Sequence, residues 1–119
     1  MNEKNHELKK IVIIGAGEQG KDVLWTIMDI NKISSRFDII GFLDDDKKLH
    51  GKTINRVPVL GGMNWLSNKN KMGCIIAVGD GKIREKIVKK LKNVNVYFPS
   101  IIHPSVIMSD FVTIGKGTI

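Results

Sequence analysis

The run Lys10-Ile11-Val12-Ile13-Ile14-Gly15-Ala16-Gly17-Glu18-Gln19-Gly20 constrains the fold more than any other part of this chain. Four consecutive β-branched apolar residues, Ile11 to Ile14, read as a strand buried on both faces, as in a parallel sheet. The glycines at 15, 17 and 20 follow as G-x-G-x-x-G, and an apolar-periodic segment comes next. In that setting Gly15 permits a sharp exit from the strand, and Gly17 lets the backbone approach a ligand. Gly20 lets a helix pack closely on the sheet. The first N–H groups and positive dipole end of that helix suit a phosphate. The motif predicts a nucleotide-binding strand-to-helix turn; the competing reading is a glycine-rich turn with a packing role alone.

At 119 residues the chain is sized for one domain with a single core. Its 42% hydrophobic and 26% charged content is ordinary for a globular protein. No apolar run approaches the roughly 20 residues that span a bilayer. Met1 to Lys10 is polar and lacks the apolar stretch of a signal peptide, so residues 1–9 are expected to be a disordered lead-in. The single cysteine, Cys74, excludes an intrachain disulfide and a cysteine-rich zinc site. It lies in an apolar run and reads as an inert core thiol, which with the rest favours a cytoplasmic location.

The net charge of +7 raises nucleic acid, an acidic membrane surface and a phosphorylated small molecule as partners. The lysines are dispersed apart from a cluster between Lys82 and Lys92, and one tyrosine and two tryptophans make a poor base-stacking platform. Nucleic acid and membrane are therefore not expected as partners.

Beyond Gly20, Val23, Leu24, Ile27 and Met28 recur at helical spacing and predict a helix to about Asn31 or Lys32. Phe37 to Leu43 reads as a second strand, ending in Asp44-Asp45-Asp46 where a doubly wound sheet presents its carboxyl edge to ligands. Lys47 to Ile54 reads as a loop. Val57-Pro58-Val59-Leu60 reads as a short extended segment, since proline disfavours both helix and central strand. Met63 to Leu66 suits a short helix. Cys74 to Val78 reads as a further strand, followed by Gly79-Asp80-Gly81 and a helix with Ile83, Ile87, Val88 and Leu91 on one face. The lysines on its other face read as solvated, while Arg84 stands one turn in, within reach of a ligand phosphate. Val94 to Ile102 is expected to add a last strand, giving an open, mostly parallel α/β sheet with flanking helices.

The end of the chain changes character. Val106, Val112 and Thr118 recur every six residues, as do Met108 and Ile114, resembling the hexapeptide repeat of a left-handed parallel β-helix. Two such units are less than one coil, so residues 104–119 are expected to begin a second domain and the chain to be a fragment of a longer protein.

Taken in order, the pieces resemble the N-terminal domain of bacterial sugar acyltransferases, the group of sialic-acid O-acetyltransferases and bacillosamine N-acetyltransferases. The matching residues are Ile11 to Gly20, Gly41-Phe42-Leu43-Asp44-Asp45-Asp46, Val57 to Gly62, Ile76 to Asp80, Ile83-Arg84, Phe98-Pro99 and Ile102-His103-Pro104-Ser105. The resemblance implies a Rossmann-like domain over residues 10–103 that holds a UDP- or CMP-linked sugar. It also implies a separate β-helix that binds acetyl-CoA, forms a homotrimer and supplies a histidine general base. No catalytic residue is then expected in this chain, and His6, His50 and His103 do not match that base. The positions implied to face the nucleotide sugar are Gly17 and Gln19, Asp44 and Asp45, and Gly79 and Asp80. Gly15, Gly20 and Arg84 join them from the glycine motif and the phosphate argument above. Two departures stand out: Gln19 replaces the family's usual histidine, and Gly81 replaces a common asparagine.

Two other classes compete. Asp44 also stands where an NAD-binding protein places its ribose acid, and the glycine turn with Asp44 to Asp46 resembles nucleotide-sugar dehydratases. Against that, no Tyr-x-x-x-Lys pair is present, since Ile101 follows Tyr97 at that spacing. A non-catalytic nucleotide-binding module is the third reading.

Overall fold

The computed structural model describes residues 8–67, 69, 71–92 and 94–99. Six strands form one sheet in the order β3-β4-β2-β1-β5-β6: β1 Lys9–Ile14, β2 Phe37–Leu43, β3 Thr53–Ile54, β4 Val57–Gly61, β5 Met72–Ile76 and β6 Val96–Tyr97. Every pairing is parallel except the β3–β4 hairpin. Helices α1, Glu18–Ile33, and α2, Gly81–Lys90, complete a Rossmann-like α/β fold.

Strand β1 is central, and Ile11 to Ile14 are all buried. Side chains alternate across a strand, so Ile11 and Ile13 pack with Val23, Leu24 and Ile27 of α1. Val12 and Ile14 face the other way, with Cys74, Ile87 and Leu91. One uninterrupted apolar tetrad thus feeds two cores, which is why it carries no polar alternation.

Helix α1 starts at Glu18, placing Gly20 inside its first turn rather than before it. Its end is fastened by Asn31, whose Nδ2 donates to the Phe37 carbonyl at 2.9 Å while Oδ1 accepts from the Arg36 and Phe37 amides. This clasp sets where β2 begins.

Residues 47–54 are not all loop. A short 3-10 helix at Lys47–Leu49 leads into β3, whose Thr53 and Ile54 pair with Pro58 and Val57. The connecting Asn55 and Arg56 both have positive φ, 49° and 70°, the backbone of a two-residue hairpin turn. An Asn-Arg pair lacks the Asn-Gly signature, so this hairpin left little trace in the sequence. Val57 to Gly61 is a true strand against β2, with Pro58 on its β3 side. Strand β5 runs two residues earlier than the sequence predicts. Among the described residues β6 is only Val96 and Tyr97; the remainder of the expected last strand past Pro99, and the hexapeptide segment 104–119, lie outside the described residues. The 1–9 lead-in falls outside them through residue 7, while Lys9 already belongs to β1.

Candidate functional site at the carboxyl edge of the sheet

The carboxyl ends of β1, β2 and β5 converge on one edge, where their loops hold each other through backbone groups. The Gly15 amide donates to the Leu43 carbonyl at 2.7 Å, and the Ala77 amide to the Ile14 carbonyl at 2.8 Å. Gly15 has φ +110°, and a Cβ there would lie 2.7 Å from the Ala77 oxygen. Only glycine meets both demands. A Cβ on Gly20 would run into the Gly15 carbonyl, whereas one on Gly17 would meet nothing within 4 Å. Gly15 and Gly20 therefore shape the turn, while Gly17 stands at the open N-cap of α1 with no side chain to cap it.

The acids of the edge have distinct roles. Asp44 Oδ2 accepts from the Ala16 amide at 3.0 Å and Oδ1 from the Asp46 amide at 2.9 Å. His50 Nε2 donates to the Asp44 carbonyl at 2.6 Å, fastening the 47–50 segment to the same residue. Asp45 Oδ1 accepts from the Met63 amide at 3.0 Å and Oδ2 from the Lys90 ammonium at 3.0 Å. The Met63 amide first, and then Lys90, hold the Asp45 carboxyl below its ordinary 3.8, outweighing a small opposing burial effect. Asp80 Oδ1 caps α2, accepting from the Lys82 amide at 2.8 Å and the Ile83 amide at 3.1 Å.

Between this edge and α2 lies a cavity of about 390 Å³. Ile14, Leu43, Ile83 and Ile87 form an apolar floor; Asp44, Asp45, Lys86 and Lys90 are its charged lining, and Lys90 bridges to Asp45. A volume of this size and a mostly apolar lining with few charged groups suit a nucleoside-sized ligand. A second cavity of about 600 Å³ continues past Asp45, Met63 and Lys90 toward His50 and Asn64.

Of the sequence-predicted site residues, Gly15, Asp44 and Asp45 share the first cavity. Gly17 and Gln19 stand on the α1 side of the turn, where Gln19 Oε1 comes to 3.9 Å of a Cβ built on Gly79. Gly79 and Asp80 lie across from them as the β5 exit. Arg84 is turned to the strand end, with Nη1 donating to the Ile76 carbonyl at 3.0 Å. Among the described residues no group of three or more His, Cys, Asp or Glu could hold a metal ion. Among them, too, no helix is long and apolar enough to cross a membrane.

The sequence model of the PglD N-terminal domain matches residues 10–91, which includes every strand-end loop of this edge. The chain belongs to the PglD N-terminal domain family. Solved structures agree. The acetyltransferase domain of PglB from Neisseria gonorrhoeae, in complex with acetyl coenzyme A, superposes with a TM-score of 0.67 at 29% identity over 82% of this chain. A second structure of that domain gives 0.65 at 30% identity over 81% of this chain and 45% of that one. PerB from Caulobacter crescentus, in complex with CoA and GDP-perosamine, shares the fold with a TM-score of 0.63 at 23% identity over 83% of this chain. The chain spans 45% of the first PglB structure and 44% of PerB. Comparison with curated proteins finds no match. As a PglD N-terminal domain, the chain is homologous to the N-terminal domain of sugar acyltransferases.

The lysines of α2 read as a solvated helix face, and Lys86 and Lys90 are exposed; that reading did not show that both also line the cavity shared with Asp44 and Asp45. Their i, i+4 spacing was visible; the wall they face was not, because it comes from a strand more than forty residues earlier.

Proposed function

We propose that this domain holds a nucleotide sugar at the carboxyl edge of its sheet, as the acceptor-binding part of an acetyl-CoA-dependent sugar N- or O-acyltransferase of surface-glycan biosynthesis. The observation that carries the reading is the cavity between Gly15, Asp44, Asp45 and α2, set at the strand ends where open α/β sheets take their ligands. Family membership supports the acyltransferase setting, and PerB, which shares the fold, is a complex with GDP-perosamine. The apolar floor takes a base and ribose, and the carboxylate of Asp45, kept ionised, accepts hydrogen bonds from them. Gly17, exposed at the N-cap of α1, offers its backbone and the first turn of that helix to phosphate oxygens.

In this reading acetyl-CoA and the general base belong to the β-helix, and trimerisation belongs there too. The nucleotide is UDP- or CMP-linked. An NAD reading would put Asp44 on a ribose, whereas its carboxylate braces the glycine turn through the Ala16 and Asp46 amides. Calorimetric titration with UDP, CMP, NAD and acetyl-CoA tests the assignment. Binding of UDP or CMP alone is expected; saturable NAD binding instead would overturn it.

A further inference from the structure

Resting on the nucleotide-sugar reading above, we propose that His50 is a positioning residue of that site. Its bond to the Asp44 carbonyl fixes the peptide that carries the Asp45 N–H, and so presents that amide to the bound ligand beside the Asp45 carboxylate. His50 Nε2 lies 2.6 Å from the Asp44 carbonyl oxygen, and a carbonyl only accepts, so the imidazole carries a hydrogen on Nε2. The ring is aimed from a braced segment. Asp46 Oδ1 caps the 3-10 helix through the Lys48 amide, and the Leu49 amide returns to the Asp46 carbonyl, both at 3.0 Å. The Gly51 amide then donates to the Val59 carbonyl of β4 at 3.0 Å.

A trans peptide is planar, so its C=O and N–H point in opposite directions. With the Asp44 carbonyl turned to His50, the Asp45 N–H is turned away from it. The amides on either side are occupied: Asp44 donates to the Gly61 carbonyl at 2.9 Å and Asp46 to Asp44 Oδ1 at 2.9 Å. The Asp45 N–H has no acceptor among the described residues. His50 lines the second cavity, and Asp45 lines both. An N–H directed away from His50 therefore serves the first. The Asp45 carboxylate is held separately, by the Met63 amide and Lys90. Losing the His50 bond thus frees the peptide to rotate while the carboxylate stays in place.

The test pairs amide NMR of this 119-residue chain with calorimetric titration of UDP and CMP. In the wild type, the Asp45 amide is expected to be protected from water exchange when nucleotide saturates the site. His50→Phe keeps a ring without a donor. It should shift the Asp45 amide resonance of the free chain and weaken nucleotide binding about tenfold. His50→Gln places an N–H donor at the reach of Nε2 and should restore most of that affinity, which a packing role alone would not do. Full affinity in a folded His50→Phe, or a His50→Gln that binds no better than it, would overturn this inference and leave the nucleotide site standing. Should His50→Phe fail to fold, the wild-type chain still decides: an Asp45 amide whose exchange nucleotide leaves unchanged overturns it. If neither nucleotide bound the wild-type chain, the site assignment itself would fall, and this inference with it.

Discussion

The carboxylate of Asp44 accepts the amide of Ala16 at 3.0 Å, so the end of β2 holds the glycine turn that follows β1. The same side chain takes the Asp46 amide, which ties the acidic tripeptide into a fixed loop. An acid that sequence logic assigns to a ligand hydroxyl is thus also a brace for the ligand's loop.

Replacing that brace should cost stability. Asp44→Ala leaves the Ala16 and Asp46 amides without their carboxylate and is expected to destabilise the domain by about 1–3 kcal/mol. Asp44→Asn keeps one oxygen acceptor and should lose less. Urea denaturation of both variants checks the order.

Asp45 behaves differently because it is exposed and paired with an exposed lysine. Asp45→Ala should weaken nucleotide binding while lowering stability by no more than about 1 kcal/mol, the range of a surface ion pair. Its folded-state pKa lies below the unfolded value, so its stabilising contribution is present above pH 3.8 and is lost as pH falls through the folded value. The stability difference between wild type and Asp45→Ala should therefore close in acid. Unchanged nucleotide affinity in the variant would remove Asp45 from the site.

The three motif glycines should separate cleanly. Gly15→Ala meets both a positive φ and the Ala77 carbonyl, and is expected to cost at least about 1–3 kcal/mol. Gly20→Ala meets the Gly15 carbonyl and should be worse tolerated still. Gly17→Ala has open space and should fold normally, losing affinity through its closer approach to the ligand. Thermal melts alongside nucleotide titrations give both readouts.

Cys74 is fully buried, and burial pushes its thiol up to about 12. The folded state keeps the proton while the unfolded chain releases it, so stability is complete below pH 9.0 and declines as pH rises toward about 12. Burial also raises Tyr97, which acts in the same direction. Cys74→Ala should flatten part of this alkaline decline in urea midpoints. The native thiol should resist a thiol-specific reagent that modifies it at once in denaturant.

Much of the frame was legible because it is written in local order. Ile11 to Ile14 announced a strand covered on both faces, and Val23, Leu24 and Ile27 announced the helix that covers one of them. The β3–β4 hairpin was not legible: its two-residue strand and Asn55-Arg56 turn carry neither period nor turn signature. Gly15 and Asp44, which motif spacing singled out, both line the cavity at the sheet edge. Arg84 falls on the expected helix, and its Nη1 donates to the Ile76 carbonyl, a contact no local pattern announces.

By itself, then, the sequence determined the strand, the glycine turn and the two amphipathic helices, since each follows from the period of side chains along a backbone. Only the tertiary structure decided that Asp44 would brace Ala16 and that Lys90 would cross to Asp45. Those contacts join residues 28 and 45 positions apart, and no local period encodes which distant groups a folded sheet will bring within hydrogen-bond reach.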